Sequence, residues 1–306
     1  MHQSTGMREW FDQSLIRTML DAILSQTVNG LVLGFLFILI SIGLSIVFGL
    51  LGIVNVAHGA FFALGAYFAL TLQQQFGWPA VVLAPLGVGI VGVVVERVLV
   101  RRLYGKDPLM TLVLTFALSL FIEAVIRTVW GAGAQPLAPP EALSGFIEYG
   151  PVLTTTYRAA VLGITVAILL ALWAFLSFTP YGRILRAGSR DPQMVGMLGI
   201  NLPLVLTGAF GVGCMLAGAG GVLAAPLWSV TPGMSAQAIM PAFVIVTIGG
   251  LGSYGGAVVA GLLVGLVTAM TTQFYPQAAG VAMYLLMVFI LLVRPRGLFG
   301  EHWEHF

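Results

Sequence analysis

Charge is the scarcest property of this sequence. Only 8% of the 306 residues are Asp, Glu, Lys or Arg, whereas a soluble domain usually carries about 25%. None of the four occurs from Ala22 to Val95 or from Pro192 to Val293. One transmembrane helix needs about 20 apolar residues, so the two stretches have room for about three and four crossings. The lack of charge excludes an ordinary soluble domain and predicts an all-α, polytopic transmembrane helix bundle.

Cysteine and nucleotide-binding motifs are missing as well. Cys214 is the only cysteine, which excludes an internal disulfide and cannot hold zinc by itself. The single lysine, Lys106, is followed by Asp107 rather than by the Ser or Thr of a phosphate-binding loop. We therefore expect no cofactor and no metal in this chain, and any ATP must be bound by another chain. The net charge of +2 gives no reason to expect nucleic acid.

What the chain does contain is a series of apolar segments separated by glycine, proline and charge. Residues 1–27 mix charged and apolar side chains and predict an amphipathic segment at the membrane surface. Residues 28–293 predict a transmembrane domain of about eight to nine spans, of which the second and seventh are short and are expected to be re-entrant or broken. The predicted spans are 28–51, 57–73, 78–100, 109–129, 158–178, 204–225, 238–250, 256–274 and 278–293.

The basic residues predict the orientation, because cytoplasmic loops are enriched in Lys and Arg. The loop 131–157 contains Glu141 and Glu148 but no Lys or Arg, so we expect it to be external. An even number of spans separates each basic cluster from the next. This places the N-terminus outside and the tail 294–306 in the cytoplasm. The basic clusters are Arg97, Arg101, Arg102 and Lys106; Arg183, Arg186 and Arg190; and Arg294 with Arg296.

Aromatic and small residues add two independent expectations. Tryptophan prefers the membrane interface, and Trp78, Trp130 and Trp228 all fall at loops that this scheme places outside. Small residues four apart allow two membrane helices to approach closely. The pairs Gly30 with Gly34 and Gly261 with Gly265 have this spacing and predict packing surfaces.

The first candidate functional segment is 52–59, GIVNVAHG. Asn55 and His58 interrupt a charge-free region, and polar residues at membrane depth usually face the bundle interior or a cavity. We interpret Asn55, His58 and Gly59 as part of a broken helix that lines a solute path. The alternative is a hydrogen-bonded structural contact between helices.

The second candidate segment is 249–256, GGLGSYGG. Each glycine costs a helix interior about 1 kcal/mol relative to alanine, so this run predicts a turn or unwound hinge. We assign Gly249, Gly250, Gly252 and Ser253 to the solute path as well.

The third candidate is the long cytoplasmic loop 179–203. Its apolar pattern predicts a short helix that ends at Gly199 and could dock on a partner, while a positively charged anchor is the simpler alternative. The residues assigned to this contact are Arg183, Arg186, Arg190, Asp191, Met194, Leu198, Gly199 and Asn201.

Taken together, these segments resemble the permease subunits of branched-chain amino-acid ABC importers, the LivH-type family. The resemblance runs from about Asn29 to Gly300 and is most specific in GIVNVAHGAFFALGAY, residues 52–67, and in RPRGLFG, residues 294–300. It implies a subunit of the bacterial inner membrane that translocates small amino-acid-like solutes by alternating access. It also implies a second related permease, two cytoplasmic ATPases that bind ATP and Mg, an external solute-binding protein, and a coupling helix within 183–201.

Other functions remain open at the level of the sequence. Many relatives have an acid after the His-Gly pair, where this chain has Ala60, and some family members import urea, amides or aromatic acids. A self-sufficient secondary transporter or channel is the main rival. A proton-coupled carrier ordinarily needs acids in the middle of its spans, and the sequence places none there. Glu123 lies near the outer end of its span and is expected to pair with Arg127 four residues later. No catalytic cluster favours a membrane-integral enzyme.

Overall fold

The computed structural model describes residues 3–77, 79–149, 152–190 and 192–300, and within them the side chains of 19–77, 79–147, 154–188 and 194–300. Short 3₁₀ turns occur at Val100–Leu103, Glu141–Leu143 and Pro276–Ala278. The α-helices are α1 (Gln3–Leu51), α2 (His58–Phe76), α3 (Ala80–Val98), α4 (Pro108–Trp130), α5 (Thr156–Phe178), α6 (Pro180–Arg190), α7 (Pro192–Met197), α8 (Leu202–Ala224), α9 (Met234–Gly249), α10 (Tyr254–Phe274) and α11 (Ala279–Val293).

The helical, polytopic fold agrees with the prediction, although the number of spans was only approximate. Within the described residues, seven helical segments are long and apolar enough to cross a membrane, and they contain α1, α3, α4, α5, α8, α10 and α11. The second and seventh predicted spans are α2 and α9, which are not among the seven. Helix α9 has 16 residues and covers about 24 Å at 1.5 Å per residue, less than the hydrocarbon thickness.

The boundary predicted between residues 27 and 28 is not a break in the chain. Helix α1 runs through it without interruption. The charged residues predicted to give residues 1–18 their amphipathic character lie outside the described side chains, as do Trp78, Asp191 and the last six residues of the tail.

A β-hairpin in the loop 131–157 is the one sheet element among the described residues, and the all-α prediction missed it. Strands β1 (Phe146–Tyr149) and β2 (Val152–Thr155) pair antiparallel, with Phe146 opposite Thr155. Both strands are rich in aromatic and β-branched residues, which favour extended structure. The hairpin leads directly into α5, which begins at the residue after β2. The Thr156 backbone N–H donates to the Gly145 carbonyl at 2.8 Å and ties the start of α5 to the residue before β1.

The core is formed by α1, α2, α8, α9 and α10, while α5 and α11 lie at the periphery. The two predicted glycine surfaces pack against each other, because a Cβ atom added at Gly34 would lie 2.8 Å from the Gly261 carbonyl oxygen. A Cβ atom at Gly30 would likewise lie 3.1 Å from the Gly265 oxygen. These contacts join α1 to α10 at backbone distance, as the spacing predicted.

The basic segments gather at one end of the bundle, which we call the basic end. Arg101 donates a hydrogen bond to the Pro203 carbonyl at 3.3 Å, and Gly188 lies beside Leu50 at the end of α1. The tail joins them, since the Leu298 N–H donates to the Ile248 carbonyl at 2.7 Å.

The loop 131–157 lies at the opposite end, which we call the hairpin end. Gln135 and Val230 form an antiparallel bridge there, joining the loop to the segment after α8. Gln73 near the end of α2 donates to the Ala138 carbonyl at 3.4 Å. The structure therefore separates the two sets of loops as the charge pattern predicted.

Candidate functional site

The segment 52–57 turns back into the bundle after α1 ends at the basic end. Gly52 has φ +63°, a conformation that glycine adopts readily, and its N–H donates to the Phe48 carbonyl at 2.8 Å. Thr115 of α4 holds this returning segment in place. Its hydroxyl lies 3.3 Å from both the Val56 nitrogen and the Val54 oxygen. The predicted break in the helix is therefore present.

This return places Asn55 and His58 in the interior of the bundle. Both residues are fully buried, and no hydrogen-bond partner of their side-chain atoms occurs among the described residues. A Cβ atom added at Gly43 of α1 would lie 2.7 Å from His58 Nε2. His58 is thus level with a position eight residues, or about 12 Å, before the end of α1 at Leu51.

Helices α2 and α9 begin at the same place. A Cβ atom at Gly59 would overlap the Ser235 carbonyl oxygen and lie 2.7 Å from Ile239 Cβ, so the first turn of α2 is pressed against the first turn of α9. From there α2 runs to the hairpin end and α9 runs to the basic end. Because the two first turns are in contact, the positive ends of two helix dipoles meet in the interior. Neither helix has a side-chain cap at its N-terminus.

A carboxylate lies close to this meeting point. Ser235 Oγ is 3.3 Å from Glu123 Oε2, and Arg127 Nη2 is 2.6 Å from Glu123 Oε1. The pairing predicted for Glu123 and Arg127 is confirmed. The contact with Ser235 was not predicted, and it links α4 to the start of α9.

The segment 249–253 forms a tight turn at the basic end, away from Asn55 and His58. Gly250 and Gly252 have φ +99° and +79°, and Ser253 caps α10 by accepting from the Gly256 N–H at 3.1 Å. A Cβ atom at Gly49 would lie 3.2 Å from Gly252 Cα. Gly49 is six residues beyond Gly43 and about 9 Å along the axis of α1. The structure does not bring the two predicted path segments into one site.

The tail covers this turn. The Phe299 N–H donates to the Gly249 carbonyl at 3.1 Å, and a Cβ atom at Gly250 would lie 2.6 Å from the Gly300 nitrogen. The glycines at 249 and 250 thus allow backbone-to-backbone packing of the tail on the α9–α10 turn. Sequence reasoning had assigned them to a solute path without recognising this contact.

The predicted partner contact 179–203 folds as two helices, α6 and α7, on the basic end. Leu185 of α6 is buried against the bundle, while the side chains of Arg183 and Arg186 are exposed. Helix α7 ends at Met197, and Gly199 has φ +76°, which agrees with a short helix that ends at this glycine.

The exposed surface of this segment is apolar as well as basic. Leu198 is 72% exposed and Met197 76%, with Met194 also exposed. Asn201 is the N-cap of α8, and its side chain accepts a hydrogen bond from the Leu204 N–H at 3.3 Å. The helix α6 includes Arg190, whose side chain lies outside the described set together with Asp191.

Sequence reasoning missed a buried acid at the basic end. Glu96 is fully buried, and it accepts from Tyr104 OH at 2.6 Å and from Arg101 Nε at 3.2 Å. Arg101 also donates to Thr207 Oγ1 and to the Pro203 carbonyl. Burial first, and then the hydrogen bond to Glu96 and its negative charge, raise the pKa of the Tyr104 phenol.

This cluster adds to the role assigned to Arg101. Arg101 was assigned to a cytoplasmic basic cluster, and its side chain in addition pairs with Glu96 and ties the end of α3 to the start of α8. The signal in the sequence was Glu96 itself, the first charged residue after the long apolar stretch. Within the described residues no group of three or more His, Cys, Asp or Glu could hold a metal ion.

The chain is similar over most of its length to known membrane proteins. The family described as "Branched-chain amino acid transport system / permease component" matches residues 26–292. The high-affinity branched-chain amino acid transport system permease protein BraD of Pseudomonas aeruginosa is 31% identical in an alignment of 296 positions that covers 91% of this chain and 96% of BraD.

Two Escherichia coli proteins extend this similarity. The high-affinity branched-chain amino acid transport system permease protein LivH is 29% identical, over 91% of this chain and 96% of LivH. The corresponding permease protein LivM is 26% identical, over 89% of this chain and 69% of LivM.

Proposed function

The chain belongs to the family of branched-chain amino acid transport permease components, and we propose that it is the membrane-spanning subunit of an ATP-driven importer for branched-chain or other small amino-acid-like solutes. The observation that carries the proposal is the match to BraD and LivH along 91% of the chain. A bundle with seven long apolar helices is consistent with this role. In this proposal the chain is a transport protein rather than an enzyme.

The proposed assembly contains four kinds of subunit. A second, related permease is supported by the similarity of this chain to both LivH and LivM. The sequence of this chain has no phosphate-binding loop, so ATP must be bound by another chain. In the proposed assembly, two cytoplasmic ATPases bind the ATP and Mg. An external binding protein delivers the solute. The assembly spans the bacterial inner membrane, with the hairpin end outside and the basic end in the cytoplasm.

The solute path passes the meeting point of α2 and α9. Asn55 and His58 offer buried polar atoms without a partner in the described residues, and membrane transporters use such residues and unwound segments to contact solutes. The two helix N-termini favour the negative group of a zwitterion. In alternating access, the path at this point would open first to one side of the membrane and then to the other.

The contact with the ATPases lies on α6 and α7. Its exposed surface combines Arg183 with the apolar side chains of Met194 and Leu198. Motion of these helices would reach the bundle through Asn201 and the first turn of α8, to which Arg101 and Glu96 are attached.

The test is reconstitution of the complete importer in liposomes. Radiolabelled leucine should accumulate only with the binding protein outside and ATP available to the ATPases, and accumulation should stop when the P-loop lysine of the ATPases is replaced. Competition with urea, a short amide and an aromatic acid would define the solute class. Accumulation of solute by this chain alone, with no nucleotide, would contradict the proposal and favour a secondary transporter.

A further inference from the structure

A small cavity lies at the hairpin end, apart from the meeting point of α2 and α9. Its volume is about 110 Å³, and it is formed by α1, the start of α5 and the segment after α8. Pockets that enclose drug-sized ligands measure about 300–1,000 Å³, so this cavity suits a ligand of few atoms or one end of a larger one. It is lined by Asn29, Val32, Leu33, Leu36, Arg158, Leu227 and Trp228.

The cavity contains one positive charge that is bound by a neutral partner. Arg158 Nη1 donates to Asn29 Oδ1, and neither of the two ion pairs found among the described side chains includes Arg158. The amide nitrogen of Asn29 donates to Gln26 Oε1 at 3.0 Å, and Gln26 donates to Gln273 of α10 at 2.7 Å. This chain of amides orients the Asn29 oxygen toward the guanidinium without neutralising its charge.

The remaining walls are apolar and firmly held. Val32 and Leu36 are 4% and 1% exposed. The Trp228 ring packs at 6.2 Å from the Phe37 ring and at 6.0 Å from the Phe62 ring, which fixes its position. A guanidinium at one side and aliphatic and aromatic walls at the other are complementary to a carboxylate that carries a short aliphatic side chain.

We propose that this cavity is the receiving site for an aliphatic amino acid, with Arg158 binding the carboxylate and Leu33, Leu227 and Trp228 contacting the side chain. The proposal rests on the proposed function, because it assumes that the hairpin end faces the side from which solute arrives. Asn29 precedes Gly43 by 14 residues, about 21 Å along α1. The solute is thus bound first at the hairpin end and afterwards at Asn55 and His58.

The test measures binding of radiolabelled leucine to the importer complex in nanodiscs, without nucleotide and without the binding protein. 4-Methylpentanoate, which keeps the carboxylate and lacks the amine, should compete with leucine. 3-Methylbutylamine, which keeps the amine and lacks the carboxylate, should not. Equal competition by the two compounds, or no leucine binding by the wild-type complex at millimolar concentration, would overturn the proposal.

Variants of the cavity give a second readout. Arg158→Gln should weaken leucine binding about tenfold or more, since a hydrogen bond to a charged group contributes about 1.5–3 kcal/mol. Arg158→Lys should lose less, because it keeps the charge but not the two parallel donors. Arg102→Gln, an exposed arginine at the basic end, is the matched control and should bind leucine like the wild type.

The outcomes separate the cavity from the importer function. Unchanged leucine affinity in Arg158→Gln, with ATP-dependent uptake intact, would discard the receiving site and leave the importer standing, whereas uptake without ATP would discard the importer. If Arg158→Gln does not fold, Leu33→Phe decides the question by filling the cavity. That variant should abolish binding, and retention of wild-type affinity would equally discard the site.

Discussion

The side chains of Asn55 and His58 are buried where polar atoms are costly. A buried polar atom left without a partner costs about 1–3 kcal/mol, and four such atoms lie on these two residues within the described structure. A path that admits water or solute would offset this cost, and so would a hydrogen-bonded structural contact between helices. The two possibilities differ in what substitution does to transport and to stability.

Replacing His58 or Asn55 by alanine should therefore impair transport more than folding. We expect ATP-dependent uptake to fall about tenfold, which is about 1.4 kcal/mol in the barrier, while the midpoint of thermal unfolding changes little. Thr165→Ala is the control, since Thr165 is also a fully buried residue whose hydroxyl has no partner in the described structure but lies on α5. Loss of stability with uptake intact would instead assign the pair a structural role.

Glu96 and Arg101 form an ion pair, so replacing one of the two residues should change what the other contributes to stability. Arg101 is about one-third exposed while Glu96 is fully buried, so solvent screens part of their attraction. We expect Arg101→Ala to lower the free energy of unfolding by about 2 kcal/mol, because it leaves a buried carboxylate unpaired. Thermal or denaturant unfolding in detergent would measure this loss.

A double-mutant cycle is the control for that pair. Arg101→Ala combined with Glu96→Gln should recover much of the stability, because the buried charge is removed as well. If the two single losses simply add, the pair does not stabilise the junction between α3 and α8.

Among the secondary-structure elements, α2 and α9 depend on close contact between their first turns. Gly59→Ala would drive a methyl group into the Ser235 carbonyl, and overpacking of this kind costs about 1–3 kcal/mol. We expect lower thermal stability and lower uptake. Gly163→Ala on α5 is the matched control, since a Cβ atom there meets nothing within 4 Å, and it should be neutral or slightly stabilising.

The end of α7 gives a second prediction for an element. Gly199 has φ +76°, so alanine at this position is strained by about 1–2 kcal/mol. Gly199→Ala should reduce recovery of the ATPases in a pull-down and lower uptake in parallel. Gly196→Ala, inside α7 and without a close neighbour, should leave both unchanged. Equal recovery of ATPase with both variants would remove α7 from the proposed contact.

The sequence predicts those elements that are determined by residues close together in the chain, and it does not predict contacts between distant residues. The helices follow from apolar runs, and the break at Gly52 follows from glycine and polar residues inside such a run. The hairpin at Phe146–Thr155 was missed because short strands were not expected in a membrane bundle. The encounter of Gly59 with Ser235 could not be predicted, because it joins residues 176 positions apart through packing rather than through a local pattern.

For the whole molecule, the charge pattern predicted which loops share an end of the bundle. The bridge between Gln135 and Val230 and the contact of Arg101 with Pro203 agree with that prediction. The separate positions of the segments 52–59 and 249–253 were not foreseen, since glycine content alone does not distinguish a path from a surface against which a tail packs.

The orientation of the whole molecule can be tested by cysteine labelling. Cys214 is fully buried, so an impermeant thiol reagent should leave the wild-type chain unmodified. In intact cells, Ser144→Cys in the hairpin loop should be labelled. Leu198→Cys at the basic end should be labelled only after the membrane is permeabilised. The reverse pattern would invert the proposed topology.

The abutting first turns of α2 and α9 have a consequence for ion leakage. Two helix N-termini in a low-dielectric interior create a positive electrostatic potential there, and half-helices arranged in this way repel protons and metal cations. A zwitterion brings its own negative group and is less affected. The geometry of the proposed solute path would thus help to preserve the proton-motive force while the importer turns over.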